Sequence, residues 1–170
     1  MYGYAATAEG LNSGWAALGT WTVSGPQPPQ VLSVTPSSGS GSSQTFSFVF
    51  SAPLGAADLN SLITLINSAL SGTSGCYVQV DPVHNLLWLA NDSATTWGSG
   101  IAFGSSNTVQ NSQCAVSGAG SNIQRSGNNL TLNLAVSFQA GFTGAKNVYG
   151  YAATAEGLNS GWKTVGNWVP

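Results

Sequence analysis

Apolar and polar side chains alternate in several short stretches of the chain, and residues that favour turns separate these stretches. Residues 45–51 (TFSFVFS) place three phenylalanines on one face, and residues 130–138 alternate in the same way. Alternation with a period of two is typical of a strand that buries one face. A series of short strands between turn signals predicts a mainly β fold, an antiparallel β-sandwich.

The predicted strands are residues 31–35, 45–51, 76–80, 86–90, 101–103, 112–116, 123–125, 130–138, 148–153 and 162–169. Residues 81–85 (DPVHN) have the composition of a hairpin turn. Residues 58–70 break the alternation, because their apolar side chains recur at helical spacing and Asp58 stands where an N-terminal cap would. We expect one short helix there, at an edge or end of the sandwich, although the β-branched residues also allow a strand.

The most specific signal is an internal repeat, because residues 2–15 and residues 149–162 share the sequence YGYAATAEGLNSGW. The offset of 147 residues continues, with a glycine at 19 and 166 and a tryptophan at 21 and 168. A fixed period indicates a tandem array. Residues 1–23 are then the C-terminal hairpin of a preceding repeat, or a donor segment. A lone domain with a duplicated terminal hairpin is the alternative.

Residues 24–30 (SGPQPPQ) are predicted to form a Pro-rich linker, since consecutive prolines favour an extended backbone. Residues 31–170 then form the sandwich module. Its last two predicted strands, with Tyr149 and Tyr151 in the first of them, resemble the last two strands of an immunoglobulin-like domain. That resemblance implies an immunoglobulin-like sandwich, although the family's central tryptophan between two cysteines at the usual spacing is missing.

A second resemblance lies in the stretches PSSGSGSSQTFSF, NLLWLANDS, TVQNSQCAVSGAGS and LNSGW. They are similar to repeats of very large secreted bacterial surface proteins, which are built from tandem β-domains. The similarity covers most of residues 31–168. It implies a structural or adhesive array that is extracellular or on the bacterial cell surface, and it brings no catalytic residues with it.

Composition narrows the possible functions. Only 5% of the residues are charged and the net charge is −2, so the chain lacks the clustered lysines and arginines of a nucleic-acid-binding surface. So few ionisable groups also argue against an enzyme with paired carboxylates or a metal cage. No apolar run approaches the length of a membrane span. We therefore expect no enzymatic activity, no cofactor, no nucleic-acid partner and no membrane span.

The first residues of the chain carry large apolar side chains that need a partner. An isolated two-stranded hairpin is marginally stable in water, and burying each large aromatic side chain stabilises by about 2 to 3 kcal/mol. The predicted inter-unit packing residues are Tyr2, Tyr4, Trp15, Leu18 and Trp21. We expect them to pack head-to-tail into a copy of the chain or a neighbouring repeat.

Cys76 and Cys114, the two cysteines of the chain, are predicted to form a disulfide. On the chain-entropy model the closed loop would stabilise the fold by roughly 4 kcal/mol. Two free buried thiols are the alternative. A metal site is disfavoured because the chain has no CxxC spacing.

Other candidate sites are weaker. His84 with Asp81 suggests a catalytic dyad, but the chain has no G-x-S-x-G elbow, and a surface turn is the simpler interpretation. The carboxylates of Asp58, Asp81, Asp92 and Glu156 are too dispersed for a calcium loop, although a shared site at a module junction stays open. An isopeptide bond from Lys146 would need a buried acid beside it. We predict neither a catalytic nor a metal site.

Two further features concern carbohydrate. Asn91 and Asn129 begin N-x-[ST] triplets and are possible glycosylation sites, so a glycan is a possible partner. Aromatic rings also stack on sugars, and a carbohydrate-binding module of a secreted protein is therefore the alternative function. Trp97 is the candidate for an exposed ring, whereas Trp88 is expected in the core.

Overall fold

The computed structural model describes residues 1–23 and 25–170. In chain order the strands are β1 (Tyr2–Gly3), β2 (Ala16–Ala17), β3 (Gln30–Thr35), β4 (Ser43–Ser51), β5 (Leu59–Asn67), β6 (Cys76–Asp81), β7 (Leu86–Leu89), β8 (Ile101–Ala102), β9 (Thr108–Gln110), β10 (Cys114–Ser126), β11 (Asn129–Phe138), β12 (Lys146–Thr154) and β13 (Lys163–Trp168). A short 3-10 helix, Ala56–Asp58, precedes β5.

Two antiparallel sheets face each other and form the predicted β-sandwich. One sheet has the strand order β3-β4-β11-β10-β9, and the other has the order β13-β12-β5-β6-β7-β8. Among the described residues, strands β1 and β2 pair only with each other and form a third, two-stranded sheet. The fold class is therefore mainly β, as the alternating sequence predicts.

The core consists of the apolar positions that alternate along the strands. Phe46, Phe48 and Phe50 on β4 are fully buried. The neighbouring strand β11 supplies the paired leucines, with Leu132 opposite Phe48 and Leu130 opposite Phe50. Since every second residue of each strand faces the other sheet, burying these side chains is what holds the two layers together.

The helix predicted at residues 58–70 is wrong in its position. This stretch forms β5, which lies between β12 and β6, and the short helix ends just before it. As an internal strand, β5 buries side chains on both faces; Leu62 and Leu65 are both buried although they face opposite sides. A strand covered on two faces loses its alternation, and its apolar positions then mimic helical spacing.

Two smaller differences concern the first sheet. The stretches predicted as separate strands at 112–116 and 123–125 are one strand, β10, with an irregularity in its pairing to β11 between Ser117 and Asn122. Strand β9 is too short and polar to have been predicted. A bulge of this kind interrupts alternation without ending the strand, which explains why the sequence pattern looked like two elements.

A disulfide joins the two sheets. Cys76 begins β6 in one sheet and Cys114 begins β10 in the other, and their Cα atoms are 5.6 Å apart. Both side chains are buried in the core. The predicted pairing is confirmed, and it fastens the sandwich at the ends of two strands that no sheet hydrogen bond connects.

The last two strands lie where the sequence suggests. Strand β12 is internal, between β5 and β13, and β13 forms the edge of its sheet. Beyond this edge the backbone of β13 reaches the loop between β3 and β4: the Asn167 N–H donates to the Ser37 carbonyl (2.9 Å) and the Val169 N–H to the Gly39 carbonyl (3.0 Å). The end of the chain thereby connects the two sheets.

The predicted linker comprises residues 24–30. Ser24 lies outside the described residues, and residues 25–30 lie within them. Residues 25–29 have no regular secondary structure, and Pro29 is buried against the sandwich. Gln30 already begins β3. The stiffness of this segment stays a prediction.

Candidate functional site

The duplicated sequence forms the same hairpin twice; residues 1–23 are the first copy and residues 148–170 the second copy. In the first copy the Ser13 N–H donates to the Ala5 carbonyl (2.9 Å), and in the second the Ser160 N–H donates to the Ala152 carbonyl (2.9 Å). The serine hydroxyls also match, because each accepts a hydrogen bond from the backbone N–H of the same alanine. The local fold of this hairpin therefore does not depend on what surrounds it.

An aromatic pair is also repeated. The ring centroids of Tyr4 and Trp15 are 5.2 Å apart, and those of Tyr151 and Trp162 are 5.5 Å apart. Both pairs are tilted in the way that favours contact between aromatic rings. The two copies thus agree in side-chain packing as well as in backbone hydrogen bonds.

The surroundings of the second copy show what this hairpin packs against. The Trp168 side chain is 4% exposed; its ring meets the Phe46 ring edge-on at 5.3 Å, and its Nε1–H donates to the Gly41 carbonyl (2.8 Å). A Cβ atom at Gly39 would lie 2.5 Å from the Trp168 ring. The serine- and glycine-rich loop between β3 and β4 is therefore the wall of a pocket for this tryptophan.

Two glycines of the second copy allow close contact with the first sheet. A Cβ atom at Gly166 would lie 2.5 Å from the Ser37 carbonyl oxygen, and one at Gly150 would lie 2.6 Å from the Val31 side chain. A backbone carbonyl cannot move aside as a flexible side chain can. At Gly166, glycine is required by the approach of another segment of backbone.

The same hairpin is uncovered in the first copy. Trp21, the counterpart of Trp168, is 84% exposed, and the other predicted packing residues, Tyr2, Tyr4, Trp15 and Leu18, are exposed as well. A Cβ atom at Gly19, the counterpart of Gly166, would have no neighbour within 4 Å. The first copy therefore carries the features of a packed hairpin without its packing surface.

The outer face of the second sheet carries a row of aromatic side chains. Ring centroids are 4.9 Å apart for Trp97 and Tyr77, and 6.2 Å apart for Tyr77 and Trp162. The pair of Trp162 and Tyr151 extends this row. Trp97, the predicted candidate for an exposed ring, is 39% exposed. Trp88 is half-buried, and with Gln79 and Trp97 it lines a small surface depression, so its expected place in the core is wrong.

The Asp81 and His84 pair belongs to the hairpin turn between β6 and β7. Asp81 accepts hydrogen bonds from the backbone N–H groups of Val83 and His84, and its Oδ2 lies 2.6 Å from His84 Nδ1. Partial burial raises the pKa of the Asp81 carboxyl, but these hydrogen bonds together lower it below its usual value. The pair closes the turn, as the simpler interpretation predicts.

The remaining acidic and basic candidates do not form a single cluster. Asp58 and Glu156 form a carboxyl pair, whereas Asp92 accepts a hydrogen bond from the Ser112 N–H (3.0 Å) elsewhere. In residues 1–23 and 25–170, no three His, Cys, Asp or Glu side chains are grouped so as to hold a metal ion. Lys146 donates to the Thr143 carbonyl and lies 4.4 Å above the Phe142 ring centroid.

Both glycosylation triplets are at the surface. Asn91 is exposed in the loop after β7, where its side-chain oxygen accepts hydrogen bonds from the Thr95 and Thr96 N–H groups. Asn129 is exposed at the start of β11. Modification at either site stays a prediction.

Comparison with known proteins adds no relative: no family model, curated protein or solved structure matches the chain. Over the described residues, the structure also contains no helix with the length and apolar character that crossing a bilayer requires.

The exposed aromatic residues of the first copy are predictable from the sequence, whereas the residues that determine how it would pack are not. Gly150, Gly166 and the loop between β3 and β4 have no distinctive pattern of their own. One signal was available, because the glycine at 19 and 166 is retained beyond the identical block. Its meaning depends on the Ser37 carbonyl, which is far away in sequence.

Proposed function

We propose that this chain is a structural module of an extracellular fibre or adhesive stalk, assembled head-to-tail from repeats. One observation carries the proposal: the first copy keeps the internal geometry and the aromatic side chains of a hairpin whose second copy packs on the sandwich and buries Tyr149 and Trp168, yet the matching Tyr2 and Trp21 are exposed. A hairpin that exposes this much apolar surface is expected to have a covering partner. The partner is the sandwich of the adjacent unit.

The register of the repeat supports an end-to-end arrangement. Residues 148–170 complete the sandwich that begins at residue 31, and residues 1–23 stand in the same relation to a preceding unit. The contact between a hairpin and the sandwich that receives it joins two different surfaces. Such a contact is heterologous and does not close on itself. Repetition of such a contact produces a filament.

Two further features support an extracellular location. The Cys76–Cys114 disulfide lies in the core, and structural disulfides persist in oxidising compartments. The low charge and the many serine, glycine and threonine residues in the loops are consistent with the surface-protein repeats that the sequence resembles.

Chains of one, two, three and four tandem copies of residues 24–170 test the proposal. We expect the radius of gyration in small-angle X-ray scattering to rise nearly in proportion to the number of copies. Negative-stain images should show beaded threads of matching length. Compact particles, or a radius of gyration that grows as in a flexible chain, would contradict a stalk.

A carbohydrate-binding module is a second candidate, supported by the outer aromatic row. Gln79, Trp88 and Trp97 line the same small depression, so an uncharged amide that can hydrogen-bond shares a site with rings that can stack on a neutral sugar. The test is retardation of the protein in gels that contain soluble neutral polysaccharides. Trp97→Ala should abolish retardation on this hypothesis and leave it unchanged if the row is only structural.

A further inference from the structure

We infer that residues 1–23 can occupy the hairpin site of a second copy of this chain. The hairpin site is the surface covered by residues 148–170, formed by β5, β3 and the loop between β3 and β4. This inference deepens the proposed function and rests on it. The partner is a further copy of the chain, and the occupant is its exposed N-terminal hairpin.

The tryptophan anchor is present in both copies. Trp168 fills the pocket between Phe46 and the loop residues Gly39 and Gly41, and it satisfies the Gly41 carbonyl with its indole N–H. Trp21 occupies the same position in the first copy and is almost fully exposed. A buried aromatic residue with one hydrogen bond is the type of side chain that dominates binding energy at interfaces.

The retained glycine points to the same surface. In the second copy a side chain at position 166 would collide with the Ser37 carbonyl. In the first copy, a Cβ atom at position 19 would have no neighbour within 4 Å among the described residues, so no contact within the free hairpin excludes a side chain there, although the φ of +159° lies at the border of the region that favours glycine. Glycine at position 19 makes sense when the hairpin lies against a carbonyl such as that of Ser37.

The backbone of the first copy can also form the required sheet. Strand β12 pairs with β5 from Asn147 to Thr154, with Tyr151 opposite Ile63 and Gly150 opposite Thr64. In the first copy the counterpart of this strand has no neighbour on the side away from β2. Pairing along such an edge provides main-chain hydrogen bonds that are independent of side-chain identity.

Of the positions that differ between the copies, 16, 17 and 18 do not oppose docking, whereas Met1 would have to fit where Val148 is fully buried. Lys163 and Thr164 are exposed in the second copy, so Ala16 and Ala17 at the matching positions would also face solvent. Val165 packs partly against the core, and Leu18 replaces it with another branched aliphatic side chain. In the free hairpin the Leu18 side chain lies against Gly3, where Val31 lies against Gly150 in the second copy, so Leu18 has to turn away when the first copy docks.

In the unaltered chain the hairpin site is already filled by the second copy, which is tethered beside it at a high effective concentration. The experiment therefore disables the second copy in the full-length chain. Gly166→Val places a branched side chain against the Ser37 carbonyl and blocks β13. Trp21→Ala, introduced with it or alone, removes the anchor of the first copy.

We expect light scattering after size-exclusion chromatography to give the mass of one chain, 17.2 kDa, for the unaltered protein. Gly166→Val should form head-to-tail multimers whose mean mass rises with concentration. The double variant Gly166→Val, Trp21→Ala should lose these multimers. It should instead bind one unaltered chain in a 1:1 complex, and an added Trp21→Ala chain should give no complex.

Other outcomes distinguish a failure of the inferred hairpin site from a failure of the proposed fibre. If Gly166→Val multimerises or aggregates to the same extent with and without Trp21→Ala, the inferred site is wrong, whatever the tandem chains show. If Gly166→Val stays a folded monomer by near-ultraviolet circular dichroism while the double variant unfolds, the first copy docks within its own chain. That result supports the hairpin site and contradicts docking between units.

Discussion

The same fourteen residues occur in two surroundings in this molecule, and the contrast separates local from long-range effects. Both copies form the same turn, the same hydrogen bonds and the same tyrosine–tryptophan pair. One tryptophan of the hairpin is 4% exposed at position 168 and its counterpart is 84% exposed at position 21. Local sequence therefore determines the hairpin, whereas burial depends on whether a sandwich is available to receive it.

The largest expected difference lies between the two tryptophans. Trp168→Ala should lower the free energy of unfolding by about 3 to 5 kcal/mol, because it empties a core pocket and leaves the Gly41 carbonyl without its donor. Trp21→Ala should change it by less than about 0.5 kcal/mol. Chemical denaturation followed by far-ultraviolet circular dichroism measures both values.

Deletion of residues 1–23 is the matched control for this comparison. The deleted chain should remain a folded monomer with the stability of the full chain, because the first copy adds no residue to the core. Equal losses for Trp21→Ala and Trp168→Ala would show that the first copy is packed in solution, and the contrast would fail.

The disulfide should come next in size. Replacing both Cys76 and Cys114 by alanine should lower the free energy of unfolding by about 2 to 4 kcal/mol, because the unfolded chain gains the freedom that the closed loop removes. The loss should be the same with and without residues 1–23. A loss that depends on the first copy would mean that the hairpin and the sandwich unfold as one unit.

Matched glycine substitutions give a smaller contrast. Gly166→Ala should cost about 1 to 3 kcal/mol, since the added methyl group meets the Ser37 carbonyl. Gly19→Ala should leave the denaturation midpoint of the sandwich unchanged, because the sheet of the first copy is separate from the two sheets of the sandwich. An equally stable Gly166→Ala protein would show that the loop between β3 and β4 yields easily.

The smallest contrast is electrostatic. Burial raises the pKa of the Asp58 carboxyl, and the nearby Glu156 carboxyl raises it further. The folded chain then binds this proton more tightly than the unfolded chain, so the stability gained from it is present at acid pH and is lost as the pH rises through the raised pKa. At pH 7 both carboxylates are charged and repel each other.

Glu156→Gln should therefore raise the thermal midpoint slightly at pH 7. The difference should shrink as the pH falls, because protonation of Asp58 removes its charge repulsion with Glu156. Glu9→Gln, at the matching position of the first copy, is the control and should change nothing. A midpoint that is equally raised at every pH would point to a cause other than the carboxyl pair.

Much of the sandwich could be predicted from sequence, and the errors have a common cause. Strand β4 was predictable because its phenylalanines alternate against a polar face. The spacing of residues 58–70 predicts a helix, with a strand as the alternative, because β5 is covered on both sides and neighbours from other strands decide which of its residues are buried. The disulfide was predictable from composition, whereas the place of Trp88 on the outer face was not.

The repeat, the alternating strands, the cysteine pair and the local geometry of the hairpin can all be read from the amino-acid order, since they depend on neighbours along the chain. The burial of Trp168, the exposure of Trp21 and the need for glycine at position 166 follow from packing between distant segments. The reason is physical: hydrogen bonds and ring contacts within a turn form between nearby residues, whereas burial needs surfaces that the chain brings together from more than a hundred positions away, such as Gly41 beneath Trp168.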